Sequence, residues 1–141
     1  MTSGDFEGHM TFGPLLQASL SIQIHAFSAM GALFMGAIQL AAPKGTLPHR
    51  IVGSVWVCLM LIVSISAFFI HQLRVWGPWS PIHLPAIFTL AGLPVAVWRA
   101  HKHDVVRHRR SMLGLFVGAL VIAGLFTLLP GRIMHTVVFG G

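Results

Sequence analysis

The chain has one cysteine, Cys58, and only three acidic residues, and these scarcities exclude whole classes of chemistry. A single thiol leaves no internal disulfide to form. Cys58 stands in an apolar run of Val, Leu and Met, where a thiol behaves as a small hydrophobe, so its expected role is packing. The carboxylates are Asp5, Glu7 and Asp104, all outside the apolar stretches. Paired acid/base hydrolysis and carboxylate proton relays therefore have no residues inside the membrane to use. Ser64, Ser66 and Ser111 lie in no nucleophile motif, and no Gly-rich phosphate loop is present. No basic region precedes the first apolar run, so a cleaved signal peptide is not expected.

What remains is apolar. Of 141 residues, 55% are hydrophobic and 9% charged, with a mean hydropathy of +0.82. Such a chain lacks the polar residues to cover a soluble domain and reads as an integral membrane protein. Four apolar stretches, roughly 15–42, 49–72, 82–99 and 110–129, each approach the length needed to cross hydrocarbon. They are continuously apolar rather than alternating, which excludes a β-barrel. The expected fold is all-α: a single membrane domain over 1–141, built as a four-helix transmembrane bundle.

The net charge of +6 is informative by location. Lys44 and Arg50 lie between the first two stretches, and Arg99, Lys102, Arg107, Arg109 and Arg110 between the last two. The opposite side has Arg74 and Arg132, with Asp5 and Glu7 before the first stretch. This bias predicts cytoplasmic basic loops and both termini outside. The basic surface meets anionic lipid in this reading; nucleic acid is not an expected partner.

Pro43 to Pro48 forms a tight turn that makes the first two helices antiparallel neighbours. Trp76 and Trp79 suit one interfacial level and Trp98 the other. Pro85 and Pro94 fall within the third stretch, where each removes a backbone hydrogen bond. Pro130-Gly131 closes the fourth, leaving a short outer segment.

The histidines carry the functional signal. His25 is followed after 24 residues by His49-Arg50, and His83 after 25 residues by His108-Arg109. This reads as one two-helix hairpin used twice. His25 is sixteen residues from Ala41, and His83 sixteen from Arg99. Both therefore stand roughly 24 Å above the cytoplasmic helix ends. His49 and His108 share the cytoplasmic level. Intramembrane ionisable groups are costly and usually functional.

Two facing imidazoles at each level suit the axial ligation of haem b, with Arg50 and Arg109 as fork-shaped partners for propionates. A layered pair of sites is what electron transfer across a bilayer needs, with a quinone or another redox protein as partner. Ala29, Ala32 and Gly36 after His25, and the Gly114-to-Gly118 GxxxG pattern, allow close helix approach. A metal alternative uses one outer histidine from each helix: His25, His71, His83 and His135. The bland reading keeps His49 and His108 at headgroup level and His25 as an interhelical hydrogen-bonding group. His9, His101 and His103 read as solvated loop residues.

His25 with Gly31 and Gly36, then His49-Arg50-Ile51-Val52-Gly53, then His108-Arg109-Arg110-Ser111-Met112, resembles a family of uncharacterised bacterial multi-helix membrane proteins classed as a domain of unknown function. Its pattern is a His-Arg-x-x-Gly opening of one helix and a His-x-x-x-Met opening of a later one. Ser111 replaces the family's usual aromatic residue, and this chain is short. The layout is also similar to four-helix, bis-histidine membrane cytochromes b. The resemblance implies a multi-pass protein of the bacterial inner (cytoplasmic) membrane and supports the choice of histidines. Other function classes remain beside the cytochrome: a non-enzymatic accessory subunit of a larger membrane complex, and a histidine-based metal or proton transporter.

Overall fold

The computed structural model describes residues 10–71 and 74–140, and every regular element there is helical. Asp5, Glu7 and His9 lie outside the described residues. The elements are α1 (Gly13–Leu16), α2 (Leu20–Ala41), α3 (Leu47–Ala67), α4 (His83–His101), α5 (Val105–Leu115), a π-helical segment (Phe116–Ile122), α6 (Ala123–Thr127) and α7 (Ile133–Phe139). α5, the π segment and α6 run on as one helix, Val105–Thr127. Among the described residues three helices are long and apolar enough to cross a membrane: Leu20–Ala41, Leu47–Ala67 and Val105–Thr127.

Local chemistry sets the helix ends. Thr46 Oγ1 accepts the His49 backbone N–H at 3.3 Å, and Pro48 sits in the first turn of α3, where its missing N–H costs nothing. α3 therefore starts at Leu47 rather than 49. Its end falls at Ala67 rather than 72, because Phe68, Phe69 and Ile70 tighten into i→i−3 bonds to Ile65, Ser66 and Ala67. Asp104 Oδ1 accepts the Arg107 N–H at 3.1 Å and opens the last long helix at Val105, five residues ahead of the expected 110. At the other end of α2, Lys44 Nζ donates to the carbonyls of Gln39 (2.6 Å), Leu40 (2.7 Å) and Ala42 (2.7 Å). A cation there meets both the orphan carbonyls and the negative end of the helix dipole.

Two expectations need correction. Pro85 lies in the first turn of α4, so only Pro94 interrupts the helix interior. Cys58 is exposed, not packed. α3 turns Trp56, Met60, Val63, Ser64 and Ala67 inward, and Cys58 falls on the opposite face.

The packing closes a cycle. α2 lies against α3, α3 against α4, α4 against α5, and the π segment returns to both α4 and α2. Ala32, Trp56, Met60, Leu93, Ala96, Leu115 and Leu120 form the core between them. Small residues permit the approach: a Cβ on Gly36 would lie 2.6 Å from the Phe116 ring and 2.8 Å from Trp56 Nε1. In the Gly114-to-Gly118 pattern only Gly118 faces a neighbour, Phe88, while Gly114 faces open space. α1 and α7 pack together beyond this core, joined by the Thr11 N–H to the Val137 carbonyl at 3.0 Å. Large apolar side chains such as Phe34, Phe69, Leu84 and Phe126 point outward. That exposure suits lipid rather than water.

Candidate histidine sites

The histidines expected at the outer level are held in different ways. His25 Nδ1 lies 2.9 Å from the Val63 carbonyl and 3.3 Å from Ser66 Oγ, across the α2–α3 contact. His83 is buried at the first residue of α4, and its Nδ1 accepts the Ser80 backbone N–H at 2.9 Å. Its ring stacks on Phe68 with centroids 5.5 Å apart and meets the edge of Trp79 at 5.4 Å. With α3 as a ruler, His25 lies at Val63–Ser66 and His83 at Phe68, so the two levels agree within about one helical turn of 5.4 Å. No hydrogen bond or ring contact joins His25 to His83 among the described residues.

His83 instead meets His71, with ring centroids 5.5 Å apart. His71 is exposed and lies past the end of α3. His135, in α7, donates from Nδ1 to the Leu128 carbonyl at 2.8 Å and packs on Phe139. Of these four histidines His71 and His83 meet each other, while His25 and His135 hold separate partners. Among the described residues no group of three or more His, Cys, Asp or Glu side chains is placed to share a metal ion.

At the inner level, Gln39 Nε2 donates to His49 Nδ1 at 2.8 Å and to the His49 carbonyl at 2.6 Å. His108 Nδ1 lies 2.8 Å from the Ala96 carbonyl. Arg50 and Arg109 are both exposed. Arg99 donates from Nη1 to Ser111 Oγ at 2.5 Å and ties α4 to α5.

These partners fix where each neutral imidazole keeps its proton. A carbonyl only accepts, so His25 and His108 are protonated at Nδ1 and present a free Nε2 lone pair. A backbone N–H only donates, so His83 has an unprotonated Nδ1 and a proton on Nε2. His49 follows the same rule: its carbonyl forces the Gln39 amide nitrogen to that side, and the same NH2 group then serves Nδ1. Nδ1–H bonded to a carbonyl with Nε2 free is the usual posture of a ligating histidine. Each expected pair contains one ring in that posture and one in the opposite posture.

Several contributors carried no obvious sequence signal. Phe68 and Ser80 act through the α3–α4 connection, which sequence periodicity does not place. Ser66 was visible only as a hydroxyl lacking a nucleophile motif. Gln39 could have been found: an amide inside an apolar span, ten residues before His49, needs a polar partner. Of the histidines read as solvated, His101 is the last residue of α4 and reaches back to the Val97 carbonyl at 3.1 Å, and His103 is exposed.

These features define a multi-helix membrane protein with polar side chains tied across its helix contacts. Residues 22–139 match the family described as "Predicted membrane protein (DUF2306)", and the chain belongs to that family. No curated protein and no solved structure matches it.

Proposed function

We propose that the chain is a four-span bundle of the bacterial cytoplasmic membrane, with both termini outside, that binds haem b and serves electron transfer across the bilayer. α4 is the fourth span in this reading. Its nineteen residues reach about 28 Å, close to the hydrocarbon thickness of about 30 Å. Its hydropathy is lowered by His83, Thr89, Arg99 and the prolines.

The observation that carries the reading is diagonal placement. Among the described residues neither α2 with α4 nor α3 with α5 forms one of the extensive helix contacts, which all run around the cycle. The expected ligand pairs fall on these diagonals: His25 with His83, and His49 with His108. Groups on opposite corners of a bundle converge on its axis, where cofactor sites of helical bundles are built. The apolar core around Trp56, Met60 and Leu115 separates the two levels.

The donor set fits unequally. His25 and His108 already present Nε2, whereas His83 and His49 must release Ser80 and Gln39 and turn to do so. Bound haem b would supply one-electron transfer. The chain's own part is to offer imidazole nitrogens, to exclude water with the apolar core, and to set Arg50 and Arg109 at propionate level. A quinone or a second redox protein is the partner this chemistry calls for.

The test is an absorption spectrum of the purified full chain after expression with ample haem. A Soret band, haem b by pyridine hemochrome assay, and loss of both on His25→Ala and His108→Ala are expected. Haem-free protein under these conditions overturns the proposal.

A further inference from the structure

A cleft of about 440 Å³ opens between α3 and α4, lined by Val57, Leu61, Leu93, Pro94, Val97, Trp98 and His101. Its walls are apolar, and its one titratable group, His101, lies at the end of α4. From Leu93 to His101 is eight residues, about 12 Å of helix, against a hydrocarbon thickness of about 15 Å for one leaflet. With α4 standing in the bilayer, the cleft would run from near mid-bilayer to headgroup level, where Trp98 is exposed. Pro94 and Leu61 both line the groove, and Leu61 is partly exposed.

Charge at the mouth selects the occupant. His101, Lys102 and His103 are exposed there. Arg107, Arg109 and Arg110 follow on the next helix, all exposed. The sole described carboxylate, Asp104, is already 3.6 Å from Arg107 Nε. Arg99 is turned toward Ser111 of α5, and Lys102 follows directly on the cleft-lining His101, with no hydrogen-bond or ion-pair partner among the described residues. We propose that this cleft holds one acyl chain of an anionic phospholipid, with the lipid phosphate at His101 and Lys102. The proposal rests on α4 standing in the bilayer but not on haem being bound. An apolar groove of leaflet depth orders the chain, and the basic rim adds a preference for headgroups of net negative charge.

Native mass spectrometry of the full chain, in detergent with phosphatidylglycerol or phosphatidylcholine of matched chains, tests it. One phosphatidylglycerol retained per chain is expected, favoured about fivefold over phosphatidylcholine, the ratio one basic side chain contributes at a lipid surface. Lys102→Gln should remove that preference. Leu61→Trp, filling the cleft, should abolish retention, and Ile62→Trp, on the neighbouring exposed position, should not. Equal retention of the two lipids, or undiminished retention in Leu61→Trp, overturns the proposal. So does a ubiquinone analogue that binds where the phospholipid does not. Side-specific labelling of Pro78→Cys and His103→Cys in a Cys58→Ala chain reports separately whether α4 crosses. Labels on one side overturn the four-span reading, and labels on opposite sides without lipid retention overturn only the lipid assignment.

Discussion

Trp56 donates its indole Nε1–H to the backbone carbonyl of Ala32 at 2.9 Å, across the α2–α3 contact and inside the core. The bond exists because Gly36, one turn further along α2, has no side chain in the way. A Cβ there would meet Trp56 Nε1 at 2.8 Å and the Phe116 ring at 2.6 Å. Gly36→Ala should therefore lower stability by about 1–3 kcal/mol through overpacking, read as a lower unfolding midpoint in detergent. Trp56→Phe should lower it by roughly 1–2 kcal/mol, combining a lost membrane hydrogen bond with lost ring volume. An unchanged midpoint in Gly36→Ala would show that Phe116 and Trp56 are free to move.

Gly92 gives a comparison within the same core. Its added Cβ would lie 2.9 Å from Leu115 Cδ2, with the next nearest atoms at 3.6 Å or more. One methyl tip can rotate where an aromatic ring and an indole cannot, and alanine is the better helix former. Gly92→Ala should cost under about 1 kcal/mol, less than Gly36→Ala. The reverse order would place the tighter contact at α4.

Lys44 is the cap of α2, satisfying three carbonyls at once. Lys44→Met keeps the stem and removes the charge, and should cost about 0.5–1 kcal/mol. The effect should appear as faster amide exchange in the Pro43–Pro48 turn and the last turn of α2. Equal exchange in the two proteins would mean that water replaces the ammonium without loss.

Helix positions were legible where a run of apolar side chains or a capping residue marks them. The Thr46-Leu47-Pro48 start and the Asp104 cap were readable by the same rules that placed Pro43, although the hydropathy runs put both starts later. The π segment was not legible, because Phe116–Ile122 differs in no residue type from an ordinary apolar helix. Its register depends on what α2 and α4 present to it. The same limit applies to the histidines. Spacing put His25 and His83 near one level, but their hydrogen-bond partners, Val63 and Ser80, come from another helix and a loop. Side-chain orientation at a site is tertiary information, and no periodicity encodes it.

Those partners lead to the sharpest prediction. In the haem-free chain, 15N spectra of the imidazoles should find His25 and His108 protonated at Nδ1, and His83 and His49 at Nε2. The assignment follows from which neighbour can only accept and which can only donate. Haem held by bis-imidazole ligation needs Nε2 lone pairs from both rings of a pair, so reconstitution should shift the protons of His83 and His49 to Nδ1 and leave those of His25 and His108 in place. Gln39→Leu removes the donor that holds His49 and should ease its change. If all four rings share one tautomer before any cofactor is added, the division into two ready ligands and two restrained ones is wrong. If reconstitution leaves His83 and His49 unchanged while a Soret band appears, the ligands lie elsewhere in the chain.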